Sequence, residues 1–488
     1  MFAINRSTYL EEGYDHVEFP NDLFNVDLAL RMHKKGKLAI QANNIELNVN
    51  PIIKGEKEVF DFDIREIKNF KVKYRGIRDP FYNKNLSIDY PYFIKPSKSI
   101  EKQSLDDKFL VCFTHNFNFE GAPKQLLSIL IGLKETYNNM KLLVVSPEDG
   151  PLREEFTEAN IDTVVVPDHT KLEHYEAALA EVKGLLSDTD GRKADLVVAN
   201  TLINFHCFEI CEELEIPSIW FIHESSKPEH FFNFLDTELK LKALDAFNKV
   251  DAGIFVAKST RNLFQPFNTN GAFFVVNNAL DKNFKIHEAA SKNSLRKELG
   301  FEEDDFIYLN LGTVCQRKGQ NDFVRAGIKL LQSLGNEKSK IKFVMVGGRS
   351  DDYQQNMEAM IEESGFSSNF VVIGETKKVA DYYNSADLFV CSSYNESYPR
   401  VIIEAIHYHL PIISTNTFGI KEQIIDGFNG YLYKAGDVEQ LYTMMHSVFE
   451  DQTTLENLRE GAKESKELFI NYDEMIEEYK EIFENYVL

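Results

Sequence analysis

The chain has 488 residues, of which 54 are Lys or Arg and 77 are Asp or Glu, giving a formal charge of −23. That length exceeds one ordinary hydrophobic core and implies two or three domains, and 43% hydrophobic residues suffice to fill them. So acidic a chain is a poor general binder of nucleic acid or anionic lipid, and any phosphate it takes must be held by local donors.

No apolar run approaches the roughly 18–20 residues needed to cross a bilayer. The N-terminus, MFAINRSTYLEEGYD, lacks the basic start and apolar stretch of a secretory signal. Cys112, Cys207, Cys211, Cys315 and Cys391 form a sparse, odd set that fits a reducing compartment better than a disulfide framework. A cytoplasmic protein is the expectation. Cys207 and Cys211 lie one helical turn apart beside His206, a spacing that suits a metal but suits two buried thiols better.

Residues 1–105 are predicted to be a β-rich N-terminal region. KLAIQANNIELNVNPII and EVFDFDIREIKNFKVKYRGI show the alternation and β-branching of strands, and the Asn-, Pro- and aromatic-rich segment after them reads as an irregular connector. From Phe109 the rhythm changes. FLVCFTH is a short apolar run, as in a strand buried on both faces. A loop with Gly121 and Pro123 is expected next, then a helix over KQLLSILIGLKETY. KLLVVS, DTVVVP, DLVVAN, SIWFIH, AGIFVA and FFVVNN repeat the strand signal, most of them alternating with helix-like segments. This is the pattern of a doubly wound parallel sheet over residues 106–283.

The pattern restarts at residue 284 and runs to 465, with FIYLNLG, KFVMVGG, FVVIGE, DLFVCSS and PIISTN as strands. The fold class is therefore α/β, two doubly wound domains in series. In residues 466–488, Met475, Tyr479, Ile482, Phe483 and Tyr486 share one face of an amphipathic helix with an acidic outer face.

The stretch YNESYPRVIIEAIHYHLPIIST, Tyr394 to Thr415, sets Glu396 and Glu404 around a helix start. Pro399 is expected at the first helical position, with Val401, Ile402, Ala405 and Ile406 as the core face. Glu396 then lies in the loop before the helix, and Glu404 about one and a half turns inside. In an open α/β sheet the ligand crevice lies at the carboxyl ends of the strands, and a helix start favours phosphate. A sugar nucleotide suits this arrangement, one carboxylate accepting from sugar hydroxyls and the other from ribose. Taken alone, the spacing is common and reads more readily as two solvated helix glutamates. The domain opens with LNLGTVCQRKGQNDF, where Gly312, Arg317, Lys318 and Gly319 precede a helix and can face the same crevice. Gly374 ends another strand, and Phe418, Gly419 and Ile420 form a loop whose amides could approach phosphate or sugar.

In this order the segments LGTVCQRKG, KFVMVGG, VVIGE and YYNSADLFVCSSYNESYPRVIIEAIHYHLPIISTNTFGIKEQIIDGFNGYLY resemble the C-terminal domain of glycosyltransferase family 4. The resemblance covers about residues 107–470 and is most specific over 386–432. It implies the GT-B fold, two Rossmann-like domains facing a cleft, with the terminal helix packing back on the first domain. It also implies sugar transfer from a nucleotide sugar with retention and without metal or other cofactor. A UDP-sugar is favoured and a GDP-sugar admitted, with a glycan, protein or lipid-linked hydroxyl as acceptor.

Carried over by position, Glu396 resembles the glutamate that faces the donor sugar. Glu404 resembles the one that holds ribose, and Lys318 the lysine on the diphosphate. Ser397 and Tyr398 stand where the family often has Gly-Phe. Thr313 follows Gly312 where the family commonly has Arg, and Arg317 is the candidate substitute. In the first domain, Gly121 and Ala122 match a loop that faces the cleft, and His223 a histidine that faces the donor sugar. A lone histidine at a strand end is otherwise more often structural. VVNNALD resembles the start of the family's linker, with Asn277 and Ala279 in place of Pro and Gly. Asp61-Phe62-Asp63 spells the DxD triplet of metal-dependent transferases, but alternating strand charge is the better reading.

Glu396, His223 and Lys318 are thus the candidate catalytic residues. Glu404, Arg317, Gly312, Thr313, Gly374, Ser397, Tyr398, Phe418, Gly419 and Ile420 are the candidate donor-binding residues. An epimerase on the same fold and a catalytically degenerate scaffold or glycan-binding protein are the competing classes. Nucleic acid is not an expected partner. Peripheral contact with the inner face of a membrane, a partner protein and a homo-oligomer are left open.

Overall fold

The computed structural model describes residues 103–488 apart from 188–190, 269–271, 283, 285–291, 336 and 488. The strands expected before residue 103, and the Asp61-Phe62-Asp63 triplet, lie outside the described residues. Each apolar run named above from Phe109 onward forms a strand, because a run without polar alternation can be satisfied only where both faces are covered.

The first sheet contains β1 (Phe109–Phe113), β2 (Lys141–Ser146), β3 (Asp162–Val165), β4 (Leu196–Asn200), β5 (Ser218–Ile222), β6 (Ala252–Phe255) and β7 (Phe273–Val275). Its order is β3-β2-β1-β4-β5-β6-β7, parallel throughout. Alternate residues of β1 feed two cores: Leu110 and Cys112 one face, Phe109, Val111 and Phe113 the other. The helix after β1 spans Gly121–Thr136, so Gly121, Ala122 and Pro123 form its first turn rather than a preceding loop. Proline fits there because a first-turn N–H has no intrahelical partner.

The second sheet contains β8 (Phe306–Leu311), β9 (Ile341–Gly348), β10 (Phe370–Gly374), β11 (Leu388–Cys391), β12 (Ile412–Thr415) and β13 (Gly430–Tyr433), ordered β10-β9-β8-β11-β12-β13 and again parallel. β13 was not expected. Ile307 and Leu309 of β8 face one core, Phe306 and Tyr308 the other.

The chain then returns to the first domain. The terminal helix, Tyr472–Tyr486, opens with a capping box of Asn471 and Glu474. It lies against Gly121–Thr136: Tyr472 donates to the Ser128 carbonyl at 2.8 Å, and Gln125 to Met475 Sδ at 3.1 Å. Its buried face includes Met475, Tyr479, Ile482 and Phe483, as the periodicity required, and also Tyr472 and Ile476. Among the described residues no helix is long and apolar enough to cross a membrane.

Candidate active site

In both sheets the strand order reverses next to the first strand, and a crevice opens where neighbouring crossovers leave on opposite faces. In the second domain the reversal lies between β8 and β11. The loop after β8 starts at Gly312, whose φ is +145°. It turns through Gln316–Lys318 and passes Gly319 at φ +66°, where a Cβ would stand 2.2 Å from the Ser392 carbonyl. Only glycine permits that approach. The loop is pinned to the end of β11 by Tyr394 N–H donating to Arg317 O at 2.9 Å and Ser392 Oγ donating to Lys318 O at 3.0 Å.

This pinning aims Lys318 at Glu396. Their side chains form an ion pair, with the carboxylate 11% exposed and Lys318 18% exposed, and Arg317 Nη1 stands 3.3 Å from the same oxygen. Burial pushes the Glu396 proton affinity up, but the Lys318 and Arg317 charges outweigh it and hold the carboxyl below its usual range. Arg317 is mostly exposed, so Lys318 is the inner cation.

Glu404 is held separately, on the helix Arg400–His407. Tyr383 donates to its Oε2 at 2.8 Å, and the Tyr383 ring stacks on Tyr408. Burial raises the Glu404 carboxyl above its usual range, more than the Arg400 charge and the tyrosine bond lower it. Arg400 itself pairs with Asp281 at 2.6 Å. Pro399 is the N-cap residue of this helix and not its first turn, with extended backbone. The buried face is Ile402, Ile403, Ala405 and Ile406; Val401 is only partly buried. The difference arises because Ile403 packs across the domain interface with Val256, Ala257, Leu280 and Tyr398.

That interface takes up several residues expected to touch donor. The Tyr398 ring is buried in it, and its carbonyl accepts from Asn278 Nδ2 at 2.9 Å. Ser397 Oγ donates to the His223 carbonyl and lies 2.5 Å from Ser225 Oγ. A Cβ on Gly419 would meet Ser397 O at 1.5 Å, so this glycine serves backbone packing. The Ile420 side chain is fully buried and its amide is spent on Thr417 O at 3.0 Å. Phe418 is partly buried at φ +33°. Glu422 accepts from Lys258 N and Ser259 N at 2.9 and 2.6 Å, capping a helix of the other domain. Asn277 donates to Val256 O at 2.9 Å and Ala279 is buried, which accounts for a linker without the expected Pro and Gly. Thr313 is half-buried, and its carbonyl accepts from Gln320 at 3.1 Å. Gly374 is exposed, and a Cβ there would meet only the Gly348 carbonyl oxygen, at 3.9 Å.

In the first domain, Asn200 at the end of β4 organises the reversal point. Its Nδ2 donates to Ala122 O at 3.0 Å, so its Oδ1 faces His223 Nε2 at 2.8 Å and His223 is the donor there. Burial, with His115 nearby, pushes the His223 pKa down to about 4, so the ring is neutral at pH 7. Glu224 accepts from Leu202 N and His223 N at 3.0 and 3.1 Å. Gly121 has nothing within 4 Å of where a Cβ would be.

Lys318, Arg317 and Glu396 therefore meet at one point, and Ser397 joins that point to the His223 backbone. Asn200, Tyr383, Arg400 and Glu422 escaped the sequence reading. Cys207 and Cys211 are buried thiols, and His206 stacks on His169 at 3.6 Å. Among the described residues no group of three His, Cys, Asp or Glu is placed to hold a metal.

Residues 291–465 match the family model described as glycosyl transferases group 1. The chain is 31% identical over 176 residues to alpha-galactosylglucosyldiacylglycerol synthase of Streptococcus pneumoniae, 35% of this chain and 43% of that protein. It is 24% identical over 224 residues to N-acetyl-alpha-D-glucosaminyl L-malate synthase of Bacillus anthracis, 46% of this chain and 56% of that one. The chain thus spans about half the length of these curated relatives. HepE of Anabaena, solved in complex with UDP and glucose, superposes with a TM-score of 0.64 at 18% identity, covering 77% of this chain and 98% of that chain. WaaG, a glycosyltransferase involved in lipopolysaccharide biosynthesis, gives 0.60 at 18% identity, covering 76% and 99%. These likenesses show the two-domain GT-B fold.

Proposed function

With residues 291–465 forming a group 1 glycosyltransferase domain, we propose that the chain is a retaining, metal-independent glycosyltransferase. It moves a sugar from a nucleotide sugar to an acceptor hydroxyl. A UDP-sugar is the favoured donor, since neighbours of the same fold are solved with UDP and with UDP-glucose; a GDP-sugar is the second choice. The acceptor is a glycan, protein or lipid-linked hydroxyl.

One observation carries the reading: the Lys318–Glu396 ion pair held at the β8/β11 reversal point. A fixed cation at that crevice is matched to the charge that builds on a leaving diphosphate, and it is oriented before reaction, so little reorganisation is needed. Arg317 stands beside it as a second cation. Glu396, kept ionised by both, accepts from hydroxyls of the donor sugar. Glu404 accepts from ribose hydroxyls, with Tyr383 fixing its carboxyl. His223 is a neutral hydrogen-bonding group that orients the sugar. The acceptor proton passes to a phosphate oxygen of the donor as the new glycosidic bond forms and the bond to the diphosphate breaks, on the same face of the sugar.

The test is thermal stability of the full chain with UDP, GDP, ADP, their common sugars and free sugars, repeated with Glu404→Ala. A ligand at 100 times its dissociation constant adds about 2.7 kcal/mol. One nucleotide sugar should stabilise the wild type and not the variant. No shift with any nucleotide would overturn the donor site.

A further inference from the structure

This mechanism leaves the mouth of the cleft unassigned. Phe119 lies between β1 and the helix Gly121–Thr136, and its ring is 38% exposed. Two ammonium groups converge on it, one from each domain. Lys124 Nζ lies 5.1 Å from the ring centroid, and Lys377 Nζ, from the loop after β10, lies 5.5 Å away. Both lysines are exposed, and among the described residues neither ammonium makes an ion pair or a hydrogen bond. That is unusual in a chain of charge −23, where acidic partners are in excess.

Glu375 pairs with Arg349 at 2.6 Å, and Glu120 shares a hydrogen bond with His115 at 3.2 Å. Lys124, Lys377 and Arg349 therefore outnumber Glu120 and Glu375 around the ring and leave net positive charge there. Lys124 also lies close enough to Glu404 for its charge to favour the ionised carboxyl, so this cluster adjoins the donor site without belonging to the Lys318 pair.

An exposed ring stacks on the apolar face of a sugar, and exposed cations seek an anion. A cation–π contact at an exposed site is weaker than a charge-assisted hydrogen bond. An arriving phosphate or carboxylate would therefore draw the ammonium groups off the ring and free its face. We propose that Phe119, Lys124 and Lys377 form an acceptor subsite for an anionic sugar, the ring stacking on the sugar and the two lysines holding a phosphate or carboxylate substituent. That the bound sugar is an acceptor rests on the transferase reading; that it binds does not.

The test is isothermal titration of the full chain with glucose 6-phosphate, glucuronate, glucose and inorganic phosphate, each with UDP present and absent. At least one charged sugar should bind about tenfold or more tightly than both glucose and inorganic phosphate. Which one does so distinguishes phosphate from carboxylate. Lys124→Ala, Lys377→Ala and Phe119→Ala should each remove most of that preference, while UDP affinity stays within about twofold. Equal binding of charged sugars and glucose, or a preference that survives both lysine changes, would overturn the subsite. So would a parallel loss of UDP affinity, which would assign the lysines to the donor. Charged-sugar binding without any UDP binding would retain the subsite and remove the UDP-donor reading instead.

Discussion

Replacing Lys318 with Met removes the ammonium that pairs with Glu396 and keeps most of the apolar stem. Breaking a fully buried pair costs about 3–5 kcal/mol, because the remaining charge is left without a partner. Here the carboxylate is 11% exposed and Arg317 stays 3.3 Å away, so the expected cost is smaller, about 1–3 kcal/mol. The loss should depend on pH in a definite sense. In the wild type the folded carboxyl is held below its unfolded value. Its stabilisation is therefore complete above the unfolded value and disappears as pH falls through the folded one. Without Lys318, burial dominates and the folded value moves up. The difference between wild type and Lys318→Met should thus be small near pH 3 and full at pH 7. Urea denaturation across that range reads it, and Lys318→Met/Glu396→Gln should recover part of the loss. Under the donor reading, Lys318→Met should also weaken UDP by roughly tenfold or more, the value of a charge-assisted phosphate contact, and leave uridine within about twofold. A coupling energy below about 0.5 kcal/mol in the double-mutant cycle, or equal losses for UDP and uridine, would refute this account.

His223 offers a second pH test. Its folded pKa of about 4 lies below the ordinary 6.5, so the unfolded state takes up the proton first and stability falls as pH drops from 6.5 to 4. His223→Gln, which keeps a donor for Asn200, should remove about 3 kcal/mol of that decline in denaturation measured at pH 7 and pH 4. Tyr383→Phe removes the donor to a partly buried carboxylate and should cost about 1–2 kcal/mol by the same assay. In calorimetry it should weaken UDP less than Glu404→Ala does. Gly419→Ala drives a Cβ into the Ser397 carbonyl and should cost at least about 3 kcal/mol, whereas Gly374→Ala, with only an ordinary contact at 3.9 Å, should stay within about 0.5 kcal/mol; thermal melts compare the two. Glu422→Ala uncaps the helix at Lys258 and should cost about 0.5–2 kcal/mol and broaden the distance distribution in small-angle scattering.

The sequence was most legible where burial on both faces leaves little choice of residue. FLVCF, LVVAN and SIWFI read as strands because nearly every position is apolar or small, and each is buried throughout. β13 failed that test: GYLY is short, half-buried and at the sheet edge, so it carries little apolar signal. Gly121 and Pro123 looked like a loop because both are poor in helix interiors, yet a first turn tolerates them. Glu396 and Lys318 could be nominated from their loops, but their pairing across 78 positions depends on β8 lying beside β11, which no local pattern encodes. Asn200 and Tyr383 had no signal of their own. A polar residue at a strand end and an aromatic residue on a helix are common, and only their hydrogen bonds single them out. Tyr398 is nominated because it stands where the family often has Phe; its side chain packs in the interface with Val256, Ala257 and Leu280.

That interface bears on how the site works. The segment from Asn395 to Tyr398 contacts both domains within four residues. Glu396 meets Lys318, Asn395 donates to Ser226 Oγ at 3.3 Å, Ser397 bonds the His223 carbonyl, and Tyr398 packs with Val256, Ala257 and Leu280. Under the proposed reading the donor diphosphate shares Lys318 with Glu396, and the adjacent peptide links that pair to Ser397. This peptide is one of the places where the two domains meet, as Glu422 at Lys258 and Ser259 is another. Ser397→Ala separates the two roles: it leaves the Lys318–Glu396 pair in place and removes the hydroxyl that reaches His223 and Ser225. If the two sites are coupled through this peptide, nucleotide should compact the wild type in small-angle scattering, and Ser397→Ala should still bind nucleotide without that compaction; equal compaction of both would refute the coupling.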